Sequence, residues 1–426
     1  MFKRRDFIKG LILSSALIKN QAHAKEIKNF KIVVIGGGFA GATFIKTIRK
    51  LHPLISVTLI EPNRHYFSCP LSAEYLVGKR PLSSLEFSYD YLAKQNVNII
   101  CDRALTINTT TKTINTQKNI LIHYDRCIVA CGVGFKLDTI VGYDENSLEI
   151  IPHAWAGGIQ HSHLRNKLLG IPDGENFLIS VPPGDYKCPP GPYERASLIA
   201  EYFKKNKPAC RVIILDSNNK FPKQPQFELA WSKFYGYGTG GSLIEWVSEK
   251  DGGAVKALQR ETMELSTPIH SFKGGAINII PPQQAAIFAQ MNALTDATGW
   301  CPVNTQSMES LFIPEVHIIG DCAYAEMLPK SAFAAACQAR VCAIAISRMI
   351  HDLPAIPPEF ANICYSLCAD DYGVSVFIKY QRNDLNNILE IVDLLTTPLN
   401  SDEGQYIKEA QSAHNMFTSL TRGAFY

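Results

Sequence analysis

The feature that most constrains this chain is a glycine cluster, Gly36-Gly37-Gly38-Phe39-Ala40-Gly41, set between an apolar β-rich run and a helical pattern. The apolar run covers residues 30–35 and the helical pattern continues to residue 50. A second apolar run, 56–60, ends at Glu61. Strand, G-x-G-x-x-G turn, helix, strand and terminal acid together predict a dinucleotide-binding unit. Gly36 allows the tight turn, Gly38 lets the backbone approach a pyrophosphate, and Gly41 lets the helix pack close to the strand. The helix N-terminus offers partial positive charge to the phosphates, and Glu61 accepts from the ribose hydroxyls.

Two later segments favour FAD over NAD at this site. The run 124–134 (YDRCIVACGVG) reads as a strand entering a glycine-rich turn, where FAD proteins of the disulfide-reductase type close their first dinucleotide domain. The run 316–321 (VHIIGD) is an apolar strand ending in Gly320-Asp321. In that superfamily such an aspartate bonds the ribityl chain of FAD. The competing role for Asp321 is N-cap of the apolar helix that follows.

A second strand–helix–strand unit is predicted over 176–181, 193–205 and 211–216. A nicotinamide-binding domain would carry another glycine loop here. This chain has Pro182-Pro183-Gly184-Asp185-Tyr186-Lys187-Cys188-Pro189-Pro190-Gly191-Pro192 instead. Prolines have no N–H to give a phosphate, so this unit is expected not to bind NAD(P)H. Cys188 lies just before a helix N-terminus, a position expected to depress its pKa; the alternative is a merely structural loop.

The N-terminus reads as an address rather than fold. Arg4-Arg5-Asp6-Phe7-Ile8-Lys9, an apolar run over 11–18 and Ala22-His23-Ala24 resemble a twin-arginine export signal with cleavage near residue 24. The alternative is an amphipathic anchor that stays attached. Export predicts a periplasmic protein, in a compartment where its 12 cysteines are able to pair. None has the tight CxxC…CxxC spacing of a metal site, so no metal is expected. A net charge of +3 gives no case for nucleic acid. No uninterrupted apolar stretch of roughly 18 residues appears, so no membrane span is expected.

Taken over nearly all of the mature length, the chain resembles the flavoprotein subunit of flavocytochrome c sulfide dehydrogenase, a relative of the sulfide:quinone oxidoreductases. VVIGGGFAGAT, VTLIEPNRHYFSCPLS, YDRCIVACG, CPPGPYERAS, NIIPPQ, GWCPVN, HIIGD, LPKS and NICYSLCADDYGVSV carry the resemblance. The fold class it implies is α/β: two Rossmann-like domains and a smaller C-terminal α+β interface domain. Expected boundaries are 1–24 for the signal, 29–150 with 274–352 for a discontinuous FAD-binding domain, 151–273 for the second Rossmann-like domain and 353–426 for the C-terminal domain.

By position, the resemblance implies that Cys69 holds FAD through a thioether and that Cys188 and Cys364 form a redox-active disulfide. Glu194 becomes a candidate acid/base, and Lys330 a cation near the flavin. Cys301 is the main rival partner for Cys188, and Cys322 is an extra thiol near the presumed flavin. A c-type cytochrome subunit is the implied partner in a heterodimer. This chain has no C-x-x-C-H, so the haem is expected on the partner alone. The last 25 or so residues depart from the family's tail.

The activity implied is oxidation of sulfide to sulfur or polysulfide. Hydrosulfide opens the disulfide, two electrons pass to FAD, and single electrons pass on to haem. One alternative is a sulfide:quinone oxidoreductase at the membrane surface, which needs an apolar anchor; residues 408–422 are only weakly amphipathic. A second is a non-catalytic flavin-bearing interaction protein.

Overall fold

The computed structural model describes residues 30–383 and 388–426; the export segment lies outside the described residues. Its first sheet has a parallel centre of five strands, in the order Val316–Ile318, Arg126–Val129, Lys31–Ile35, Ser56–Ile60, Asn98–Ile100. Parallel strands covered on both faces need unbroken apolar runs, which explains why Ile32 to Ile35 and Cys127 to Val129 are all buried. The sheet draws on two separated stretches of chain, since Cys301–Asn304 and Ala323–Tyr324 extend it beyond Val316–Ile318.

Two helices pack together against this sheet, Phe39–Leu51 and Ala332–Ile350. Among the described residues, the second is the one helix long and apolar enough to cross a membrane, but it is largely buried in this core. The helix is not an uninterrupted apolar run, since Gln338, Arg340 and Arg348 break it.

The second sheet is wholly parallel, in the order Ile244–Val247, Arg211–Asp216, Asn176–Val181, Ala276–Ile279. The Gly191–Asn206 helix follows its Asn176–Val181 strand, as in a βαβ crossover. The C-terminal segment forms an antiparallel sheet of Glu359–Ala369, Tyr372–Arg382 and Leu389–Thr396. Its outer strand leaves Ile391, Val392, Leu394 and Leu395 exposed.

The Glu403–Phe425 helix starts where the Asp402 side chain accepts from the N–H of Gln405 (2.8 Å). Its buried residues Tyr406, Ala410, Ala413, Phe417, Leu420 and Ala424 recur at helical spacing. Small alanines carry little hydropathy, so this packing face looked weak in sequence. Phe425 stacks on Tyr66 and Phe87 at centroid distances of 5.3 and 5.0 Å, which brings the C-terminus back onto the first domain.

Candidate active site

A cavity of about 1030 Å³ runs from the glycine turn to the junction of all three segments. Gly36, Gly38, Glu61, Cys69, Gly320, Asp321 and Lys330 line it, together with Cys188, Glu194 and Cys364. Gly41 works from below: a Cβ there would sit 2.0 Å from the carbonyl oxygen of Gly36, so a side chain would push the helix off the turn. At Gly38 a Cβ would meet only Tyr66, at 3.5 Å, and would otherwise project toward the space a pyrophosphate needs. Glu61 is fixed at the rim by the N–H of Gly37 (2.9 Å) and by Asn63.

Asp321 supplies the clearest sign of an absent partner. Its Oδ1 is buried and has no hydrogen-bond partner among the described residues. Buried oxygens are rarely left so, and a ribityl hydroxyl would satisfy this one. The competing N-cap role is taken elsewhere: the helix begins at Ala332, and Ser331 Oγ accepts from the N–H of Ala334 at 3.0 Å. The donor set and the glycine cradle therefore fit FAD.

At the far end, three loops deliver the sulfur chemistry. Cys188 sits within the proline-rich loop with φ +57°, a left-handed backbone that a non-glycine residue adopts under strain and that recurs at functional sites. Two contacts hold it there. Its N–H donates to the carbonyl of Lys330 (2.8 Å), and its own carbonyl accepts from the N–H of Gly191 (2.8 Å). A Cβ at Gly191 would stand 3.1 Å from Cys188 Sγ and 2.9 Å from the Trp155 ring, so only glycine fits behind the thiol.

Cys364 reaches the same cavity from the Glu359–Ala369 strand, close enough that its charge acts on Cys188. No bond joins the two sulfurs in this structure. The expectation of a depressed Cys188 pKa is corrected. Desolvation pushes the thiol well up, Cys364, Glu194 and Cys69 add to the rise, and Lys223 only partly opposes it.

Glu194, in the first turn of its helix, has its carboxyl pushed up to about 7 by burial, against the hydrogen bond from Leu367 N–H and the Lys223 charge. Cys69 donates its thiol to the carbonyl of Trp155 at 3.2 Å. Arg195 orders that loop: its guanidinium donates to the carbonyls of His153 and Ala154 and to Asn278, and lies 4.5 Å over the Trp155 ring.

Lys330 is held back from the cavity's centre. Its ammonium donates to the carbonyls of Asp321 and Ala323 (3.1 and 3.0 Å) and sits 3.6 Å over Trp300. Two further cations that the sequence reading did not assign act on the thiols, beside Arg195, which acts on Cys69 and Cys188. Lys187 interacts with Cys69, Asp321 and Cys188. Lys223 lies 4.0 Å from Cys364 Sγ. Lys187 stood inside the proline-rich motif; Lys223 had no signal in the sequence. Cys301, the rival partner for Cys188, is fully buried and hydrogen-bonds Cys322, as does Cys131.

Three family profiles match the chain. A flavocytochrome c sulfide dehydrogenase flavoprotein-chain central profile covers 161–281, a flavocytochrome c sulphide dehydrogenase flavin-binding profile covers 356–425, and a pyridine nucleotide-disulphide oxidoreductase profile covers 30–169. The sulfide dehydrogenase (flavocytochrome c) flavoprotein chain of Chlorobaculum thiosulfatiphilum is 55% identical over 42 residues, 10% of this chain and 88% of that sequence. The chain belongs to the flavocytochrome c sulfide dehydrogenase flavoprotein family.

This flavoprotein is a sulfide-oxidising FAD enzyme. The flavin-binding match reaches residue 425, so the tail that departed from the expected pattern lies within it. The mitochondrial sulfide:quinone oxidoreductase of Mus musculus is 24% identical over 330 residues, 73% of this chain and 69% of that one. In fold, the flavoprotein is similar to the sulfide:quinone oxidoreductase of Aquifex aeolicus, with a TM-score of 0.70 at 18% identity, over 93% of this chain and 92% of that one.

Proposed function

We propose that the flavoprotein is the sulfide-oxidising subunit of a periplasmic flavocytochrome. Cys188 and Cys364 form its redox pair, Cys69 holds FAD covalently, and a c-type cytochrome subunit takes the electrons. One observation carries this reading: two cysteines from different segments of the fold open into the cavity that holds the FAD cradle. Hydrosulfide attacks one sulfur of the oxidised pair. A new S–S bond forms, the old one breaks, and the other cysteine leaves as a thiolate. Glu194, with a carboxyl pushed up to about 7, exchanges the proton beside them. FAD, when bound, supplies an acceptor for two electrons that releases them singly.

A cytochrome acceptor suits this chain better than a membrane quinone. The apolar face of the Glu403–Phe425 helix is spent on the protein interior, and the exposed apolar strand Leu389–Thr396 supports a docked partner. The arginine pair Arg4-Arg5 and the Ala22-His23-Ala24 site support export.

The test is a set of serine variants. If the pair is catalytic, Cys188→Ser and Cys364→Ser fold, keep flavin and lose sulfide-driven flavin reduction by about 10³-fold or more, the scale on which losing one essential group acts. If the pair is a structural staple, both melt earlier but still reduce flavin. Cys301→Ser is the control and keeps full activity.

A further inference from the structure

The two thiols of the pair stand in unequal surroundings, and the inequality comes from Lys223. Only 7% of this lysine is exposed. Its ammonium donates to Ser366 Oγ at 2.8 Å and to the carbonyl of Cys364 at 3.1 Å, and stands 4.0 Å from Cys364 Sγ. Three contacts on one short stretch of strand fix the cation beside that sulfur. Its backbone is left-handed, φ +61°, at the N-cap of the Gln224–Tyr235 helix. The charged and titratable groups around it are Cys364, Cys368, Glu194 and Cys188. The Lys223 charge is the chief influence opposing desolvation at Cys364, whereas at Cys188 it is outweighed by the charges of Cys364, Glu194 and Cys69. Lys187 and Arg195 are the other nearby cations, and each interacts with Cys69 ahead of Cys188.

We propose that Lys223 is a catalytic residue that sets the direction of disulfide opening: hydrosulfide attacks Cys188, and Cys364 leaves as the thiolate paired with the Lys223 ammonium. The step balances. Hydrosulfide and the Cys188–Cys364 disulfide give a Cys188 persulfide and a Cys364 thiolate, with one negative charge on each side and the S–S electron pair retained by Cys364. A leaving thiolate of lower pKa departs faster, and a fixed cation at the departing sulfur supplies that difference without a proton. This inference rests on the Cys188–Cys364 reading and adds its polarity.

The test uses full-length holoenzyme, reduced anaerobically and pulsed with iodoacetamide, with Cys188 and Cys364 peptides quantified by mass spectrometry. In the unmodified sequence Cys364 is expected to label first. Lys223→Gln keeps a hydrogen-bond donor for Ser366 and removes the charge. It is expected to slow Cys364 labelling on the order of tenfold, the effect of about one pKa unit on thiolate population, and to leave Cys188 labelling unchanged. Lys223→Arg is expected to restore the preference. An unchanged Cys364 rate in a folded Lys223→Gln overturns the proposal. So does Cys188 labelling first in the unmodified protein, a result that needs no variant to fold. Failure of the underlying reading shows separately, as sulfide-driven flavin reduction that survives in Cys364→Ser.

Discussion

The N–H of Leu367 donates to the Glu194 carboxylate at 2.9 Å, so the acid of the second domain is bonded to the same strand that carries Cys364. One hydrogen bond therefore joins the candidate proton carrier to the strand that carries Cys364.

The raised Glu194 pKa has a measurable signature. The folded value, about 7, lies above the model-peptide value of 4.5. The native state therefore holds the proton more tightly between those limits, and stability is lost as pH rises through that window. Glu194→Gln is expected to raise the melting temperature relative to the parent more at pH 8 than at pH 5. At constant hydrosulfide concentration it should also remove an inflection near pH 7 from sulfide-driven flavin reduction and slow the reaction about 10²-fold. An inflection that survives the substitution assigns the proton to another group.

Covalent attachment at Cys69 is checked with acid. The precipitated protein is expected to stay yellow, and Cys69→Ser should release its flavin to the supernatant while still folding around it. Release from the parent protein sinks the thioether.

NADH is expected not to bleach the flavin in rapid mixing. The acid that ends the second strand of this domain, Asp216, is fully buried and already accepts from Tyr193 OH at 2.6 Å, Trp246 Nε1 at 2.9 Å and Asn218. A ribose would find no free acceptor there, and the proline-rich loop offers few amides to a pyrophosphate. Fast bleaching at micromolar NADH would contradict both arguments.

Phe425→Ala tests the return of the C-terminus to the flavin domain. Phe425 is 1% exposed and in aromatic contact with Phe39, Tyr66, Phe87 and Tyr89. Its truncation is expected to cost about 3 kcal/mol, read as a lower denaturant midpoint. Tyr426→Ala, at a side chain 60% exposed, should be near neutral. Equal effects from the two variants would show that the aromatic cluster is not what anchors the helix.

By itself, the sequence determined the local chemistry. The glycine turn, the apolar parallel strands and the loss of a second glycine loop are short-range patterns, and each specifies its backbone within a few residues. The CPPGPYER motif and the resemblance it carries put Cys188 and Glu194 on one loop–helix junction. Tertiary structure alone decided the rest, because it depends on groups that are distant in sequence. Burial, with the charges of Cys364, Glu194 and Cys69, pushes the Cys188 pKa up, opposite to what a nearby helix N-terminus suggests. Packing put Lys223 beside Cys364, since only the folded interface brings the Gln224–Tyr235 helix onto that strand. The alanine face of the last helix gained its meaning from the aromatic side chains it meets. A charge or a thiol acts through its neighbours over a few ångströms, and those neighbours are fixed only when the three segments close on one another.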